Sequence, residues 1–326
     1  MASVFLSDMA NPRPASQQTQ SNQPPEPAAW GVLLLAHGAP DRQKDIPEFL
    51  LNVRGGRPLP DVVVKEIAHR YSLIGGGSPL LRLTNLQAEA LARVLAHPVY
   101  VGMRNWKPFI AETVRRLNLD GVKKVVALCL APQNSRTSIG LYKQHLLDAI
   151  QKNAPRLRVD FIESWHDHPL LIAAFCEKVA AARARAESEA GKPVPVIFTA
   201  HSVPEKTIAD GDPYEQQARE TAVLVARALR LSGYRLAFQS QGMTPEPWIG
   251  PTVESQINEL AATGERHVLL APIGFMCDHV EILYDIDVVF RDYGKAKGVT
   301  VHRSESLNDS PLFIKALAAI VSEKMK

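Results

Sequence analysis

Val196–Pro204 reads VIFTAHSVP and Val32–Pro40 reads VLLLAHGAP. In both, an apolar run ends in Ala-His-small-x-Pro. A continuous apolar run of this length, closed by a proline-bearing turn, suits a strand buried on both faces. A second pair repeats the pattern, with VVALCLAP at Val125–Pro132 and HVLLAP at His267–Pro272. The two halves of the chain thus carry corresponding strands in the same order, which predicts two similar Rossmann-like halves. Ligands of open α/β sheets bind beyond the carboxyl ends of the strands. Both AH(G/S)xP segments are therefore expected to face one cleft between the halves.

Outward from these four segments the chain alternates between short apolar runs and amphipathic stretches. Strands are expected at Val32–Ala36, Val99–Gly102, Val125–Leu130, Arg158–Phe161, Val196–Ala200, Arg235–Phe238, His267–Ala271 and Val299–His302. Apolar residues at three and four spacing predict helices over Thr84–Leu95, Phe109–Leu117, Leu141–Lys152, Pro169–Ala186, Pro213–Leu231, Thr252–Ala262 and Pro311–Lys326. Asp212-Pro213 and Ser310-Pro311 each set a capping side chain before Pro at the first helical position. Gly121, Gly233 and Gly264 follow periodic runs as stop signals. Strands joined by helices place the fold in the α/β class, with parallel sheets covered on both faces. Residues 1–28, rich in Pro, Gln, Ser and Asn, are expected to be disordered because they lack apolar surface to bury. The expected division is an N-terminal domain over 29–155, a C-terminal domain over 156–310, and a final helix over 311–326 that packs back across the domains.

A chain of 326 residues can bury a large core. Its formal charge of +3 is a near cancellation of 37 basic and 34 acidic residues, and no clustered basic stripe marks a nucleic-acid face. Cys129, Cys176 and Cys277 are odd in number and far apart, so neither a disulfide framework nor a thiolate zinc site is indicated. No apolar run approaches the roughly 20 residues of a transmembrane helix. The N-terminus does not read as a secretory signal, so a cytoplasmic location is expected.

Four segments carry chemistry. His201, just past a buried strand, can point into the cleft as a metal ligand or a proton acceptor. Position alone leaves that reading level with a histidine hydrogen-bonded in a turn. In APIGFMCDHVEILYDID, Ala271–Asp287, a helix is expected to begin near Val280. Glu281 and Asp285 would then share one helix face. With an imidazole nearby they suit a divalent first-row metal in transit, against the plainer reading of a solvated acidic face. Asp287 is expected on the solvated side. QSQGMTPEPWIGP, Gln239–Pro251, is a rigid loop that offers Trp248 as a flat wall or as packing for the loop itself. RYSLIGGGSPLL, Arg70–Leu81, lacks the GxxxxGK[ST] pattern and is not a phosphate loop.

Taken together these segments resemble the ferrochelatase family. The pieces that carry the resemblance are TAHSVP around His201, GDPY at Gly211–Tyr214, Gln239–Pro251 and PIGFxxDHxExLYDID at Pro272–Asp287. RYxxIGGxSPL at Arg70–Leu80, GMRNWxPF at Gly102–Phe109 and SLN at Ser306–Asn308 support them. The resemblance implies two Rossmann-like domains, each a four-stranded parallel sheet flanked by helices, around a porphyrin cleft. It implies insertion of Fe²⁺ into protoporphyrin IX or coproporphyrin III, with loss of two pyrrole protons, in heme biosynthesis. His201 matches the family's active-site histidine, Glu281 the carboxylate opposite it, and Asp285 the next acidic step. Tyr71, Ser78, Arg104 and Trp248 match positions lining the macrocycle pocket.

The chain departs from the family's pattern in places. Val289 stands where many relatives place a third carboxylate. His37 stands where some relatives have a tyrosine able to approach the iron, and it is a candidate ligand from the opposite face. Three cysteines, none after Cys277, do not supply the four thiolates of a [2Fe–2S] cluster, so no cofactor beyond the Fe²⁺ substrate is expected. The implied partners are porphyrin and iron, for a monomer in passing contact with neighbouring heme-pathway enzymes. A cobalt or nickel tetrapyrrole chelatase of the same fold, favoured by His279, and a non-catalytic porphyrin carrier are the alternatives.

Overall fold

The computed structural model describes residues 30–242 and 245–325. The segment expected to be disordered, residues 1–28, lies outside them. The first half runs β1 (Trp30–Ala36), α1 (Ile46–Val53), α2 (Asp61–Leu73), α3 (Leu80–Leu95), β2 (Val99–Met103), α4 (Ile110–Leu119), β3 (Lys124–Cys129), α5 (Ile139–Asn153) and β4 (Arg158–Ile162). Helix α6 (Pro169–Ala190) leads into β5 (Val196–His201), α7 (Glu205–Ala209), α8 (Tyr214–Ala228), β6 (Arg235–Gln239), α9 (Val253–Ala262) and β7 (His267–Pro272). Then come α10 (Val280–Leu283), a π-helix over Asp285–Phe290, α11 (Arg291–Ala296), β8 (Thr300–Arg303) and α12 (Pro311–Glu323). Two four-stranded parallel sheets result, in the orders β2-β1-β3-β4 and β6-β5-β7-β8.

The period of two along each strand sorts its residues between two cores. In β1, Leu33 and Leu35 meet Ile110, Val114 and Leu117 of α4 and Leu146 of α5. Val32 and Leu34 point the other way, into a cluster that also holds Val196 and Phe198 of β5 and Leu269 and Ala271 of β7. The inner faces of both sheets therefore close on one core. Its filling comes from α6, through Leu171, Phe175 and Val179, and from α12, through Phe313, Leu317 and Val321. Helix α12 is apolar around most of its girth because it packs against α6 and also against α3 of the first half.

A polar seam adds to this shared core. The Asp212 carboxylate is buried and accepts from Ser135 Oγ (3.1 Å) and the Arg136 backbone N–H (2.7 Å) of the first half. Its other oxygen accepts from the Tyr214 N–H at 3.0 Å, so the expected start signal of α8 also ties the halves together. Beside it, Gln217 Oε1 accepts from the Asn134 N–H at 2.6 Å.

Several expectations shift. β4 pairs with β3 from Lys124↔Arg158 onward, so it completes the first sheet, whereas the expected division at 155/156 falls before it. Helices α1 and α2 were not legible: α2 begins with a β-branched run, a poor helix signal, and buries Tyr71 alone. Ser310 makes no side-chain cap, and the left-handed residue after α8 is Arg230 (φ 51°), not Gly233. Among the described residues no helix is long and apolar enough to cross a membrane.

Because one core serves both sheets, Phe313→Ala is expected to destabilise the whole chain by about 3–5 kcal/mol, the range for a buried aromatic. In urea the two halves should unfold in a single transition displaced to lower denaturant; two separate transitions would show independent cores.

Candidate active site

The carboxyl ends of β1, β5, β6 and β7 open on one cleft. His201 is the last residue of β5, and its carbonyl accepts from Tyr214 Oη at 2.8 Å. Ser202 is pinned on both sides, its N–H donating to the Gln239 carbonyl (2.7 Å) and its Oγ to the Ile249 carbonyl (2.8 Å). The Ser202 carbonyl accepts a hydrogen bond from His201 Nδ1. A carbonyl only accepts, so the proton of the neutral ring lies on Nδ1 and Nε2 is bare. That Nε2 stands 3.6 Å from Glu281 Oε2. The gap is too long for a hydrogen bond, yet both atoms can reach one ion at the roughly 2.0–2.2 Å typical of a first-row divalent metal.

Glu281 sits in the first turn of α10, capped by His279, whose Nδ1 accepts the Glu281 N–H at 3.2 Å. Gln239 Nε2 donates to the Glu281 carbonyl at 2.8 Å. The loop before α10 is held at Asp278, whose carboxylate accepts from Ser306 Oγ (2.7 Å) and Asn308 Nδ2 (3.1 Å). This gives the SLN segment a structural task. Confinement in the cleft works to raise the Glu281 pKa, but the charge that His201, His279 and His37 carry when protonated outweighs it and holds the carboxyl below its ordinary value. Asp285, one turn on, goes the other way. Burial and the Glu281 charge push it up to about 6, against the opposing hydrogen bond from Ser240 Oγ. Ser240 holds a left-handed backbone (φ 60°) to make that bond, a strained conformation at the site.

His37 faces the same cleft from the end of β1. Its Nδ1 donates to the Gly38 carbonyl at 2.9 Å, so Nε2 is bare and accepts from Asn105 Nδ2 at 2.9 Å. Gly38 has φ +83°, and a Cβ there would stand 2.7 Å from the Trp106 nitrogen, so the turn that delivers His37 requires glycine. Burial, aided by the Arg104 charge, lowers the His37 pKa to about 4 and keeps the ring neutral. Arg104 lies over the Tyr142 ring at 4.8 Å, and its buried Nη1 has no hydrogen-bond partner among the described residues.

The other expected site residues are placed as follows. Tyr71 is buried with Phe49 and Trp106 in a small cluster that also touches Val280 of the second half. Ser78 Oγ accepts the Leu80 N–H at 3.2 Å and so braces the start of α3. Trp248 bridges to Pro204, and its ring fills the space a Cβ on Gly242 would need, 2.6 Å away. Asp287 is not solvated: it accepts from Arg303 Nε and Nη2 at 3.0 and 2.9 Å and pairs with Arg291 at 3.1 Å. The wide turn of the π-helix rotates it toward β8. Val289 is exposed.

Three imidazoles thus surround Glu281, and two have their lone pairs engaged. His279 Nδ1 holds the Glu281 N–H, and His37 Nε2 holds Asn105. His201 Nε2 alone of the three faces the carboxylate bare. The sequence did not mark the roles of Asn105, Ser240, Gln239 and Tyr214, though QS directly follows a strand as the two histidines do. A surface groove of about 800 Å³ beside α8, lined by Asp167, Glu215 and Arg219, includes none of these groups.

Losing the Ser240 hydroxyl removes a bond that favours the charged carboxylate. In Ser240→Ala the Asp285 carboxyl should therefore titrate above about 6, while Glu281→Gln, which removes a like charge, should move it lower. Carboxyl ¹³C shifts followed through a pH titration read both.

The ferrochelatase family profile matches residues 29–325. A ferrochelatase of Acidobacterium capsulatum is 48% identical over 305 residues, covering 89% of this chain and 92% of its own. A coproporphyrin III ferrochelatase of a Geobacillus species is 36% identical, covering 91% and 98%. Among solved structures, the sirohydrochlorin chelatase SirB of Bacillus subtilis subspecies spizizenii, in complex with cobalt, aligns with a TM-score of 0.58. It covers 91% of this chain and 95% of its own at 11% identity, and so shares the fold. With two parallel sheets of this order, and a bare imidazole nitrogen facing a carboxylate where they meet, the chain belongs to the ferrochelatase family.

Proposed function

We propose that this protein inserts Fe²⁺ into a porphyrin with release of two protons, and that His201 and Glu281 handle the metal and the pyrrole protons. The observation that carries this reading is the bare His201 Nε2, 3.6 Å from the Glu281 carboxylate. A free-base porphyrin is planar and its two inner N–H groups block the metal, so metallation has to pucker the ring, remove two protons and strip water from the ion. Rigid walls supply the pucker from binding energy. His201 either takes a pyrrole proton on Nε2 or gives that lone pair to the incoming iron.

Protons leave along α10 and the π-helix after it. Asp285, one turn past Glu281 and pushed up to about 6, is the next acceptor for a proton on Glu281 and passes it to solvent. With Val289 next on this face, the acidic path ends at Asp285. His37 serves as a neutral wall while Asn105 holds its Nε2. The unpartnered Arg104 Nη1 suits a macrocycle carboxylate.

The activity is that of a lyase forming nitrogen–metal bonds, in the cytoplasm, by a monomer that needs no cofactor. Burial raises the thiols, Cys277 to about 12, which favours protonated packing groups over cluster ligands. Protoporphyrin IX and coproporphyrin III are both candidate substrates. The second has four propionates to the first one's two, and Arg54 and Arg57, exposed between α1 and α2, are candidates to hold the extra anionic groups.

His201→Ala is expected to fold normally and lose at least about 10²-fold in kcat, the lower end for a general acid–base group. Near-normal metallation in that variant would remove the proposed chemistry, and tight porphyrin binding without turnover in the unaltered protein would favour a carrier. Comparing kcat/KM for the two porphyrins identifies the substrate, and Arg104→Ala should raise KM for it more than it lowers kcat.

A further inference from the structure

Away from the cleft, three metal-binding side chains from three elements converge on the outer part of the second sheet. His267 opens β7, His302 lies in β8, and Glu189 sits in the last turn of α6. The parallel register pairs Leu269 with His302, so His267 and His302 fall on the same face of neighbouring strands, the face that α6 crosses. Their rings stack at 15° with centroids 5.4 Å apart, and His267 Nδ1 lies 3.0 Å from His302 Nε2. One ligand atom from each of the three residues falls within 4.8 Å of the others.

The spacing is what a single small cation needs. Two nitrogens bound to one first-row ion at roughly 2.0–2.1 Å lie about 2.8–3.4 Å apart for angles between square and tetrahedral. Each imidazole has a second ring nitrogen to hold its one proton, so both can turn bare nitrogens to an ion without net proton loss. Two imidazoles and one carboxylate, with water completing the shell, form a donor set for borderline divalent ions. The neighbouring positive group, Arg291, is paired with Asp287 at 3.1 Å. His267 lies at the end of β7 opposite the cleft, five residues or about 16 Å along the strand from Pro272.

We propose that Glu189, His267 and His302 form a second metal site, for a divalent first-row transition ion such as Zn²⁺, separate from the place where iron meets the porphyrin. The ion clips the end of α6 to β7 and β8, and therefore fastens the helix that fills the shared core to the second sheet.

Untagged, metal-stripped protein titrated with Zn²⁺ against a chromophoric chelator tests this. The unaltered protein should bind one equivalent more than His267→Ala/His302→Ala. Saturating Zn²⁺ should raise its Tm by about 5 °C more than it raises the variant's. Glu189→Gln, an exposed position with little folding risk, should weaken that equivalent by at least about 10-fold, the scale of lost metal partners. Porphyrin metallation should stay within about 2-fold of normal in both variants, since these residues lie outside the cleft. Equal zinc stoichiometry and equal Tm response in protein and variants would overturn the site, and loss of metallation with the zinc would overturn its separateness.

Discussion

Everything in this molecule depends on two sheets burying their inner faces in one core. Val32 and Leu34 from the first sheet and Val196 and Phe198 from the second share contacts with the same pair of helices, α6 and α12. Neither sheet can shed those helices without exposing apolar surface, which costs about 25 cal/mol for each Å². The relative position of the two strand-end histidines is thus set by close packing rather than by the loops that carry them. Asp212 repeats the constraint in polar form, since removing either half would leave a buried carboxylate short of its donors.

On that frame the cleft sorts its imidazoles by what their lone pairs are doing. One caps a helix, one is held by an asparagine amide, and one is left to react. Protonated, the same three rings hold Glu281 acidic, while burial and the Glu281 charge make Asp285 a better proton acceptor. Placement alone separates the two carboxyls: one lies beside the imidazoles, the other beside its neighbour's charge. The π-helix after α10 widens the turn there and swings Asp287 away to Arg303, so the two acids in the cleft are separated from the structural one.

Much of this was written in apolar periodicity. All eight strands were legible, the central β1, β3, β5 and β7 as continuous apolar runs, and the AH(G/S)xP echo located the cleft. The paired roles of His201 and Glu281 rested on resemblance, since a strand-end histidine and an i,i+4 acidic pair are each ordinary features. The partners that tune them were out of reach. Asn105 meets His37 across 68 residues and Ser240 meets Asp285 across 45, contacts that no local pattern encodes. The same holds for β4, whose sheet is decided by a partner strand, and for α2, which buries Tyr71 alone.

The satellite cluster of Ile46, Phe49, Leu50, Tyr71 and Trp106, outside the core that joins the sheets, has its own consequence. It packs on Val280, the neighbour of Glu281, and its Phe49 ring meets His37 edge-on. Trp106 backs the Gly38 turn that delivers His37. A change in this small cluster is therefore felt on both sides of the cleft: which flat molecule is admitted and what is done to its nitrogens are inherited together.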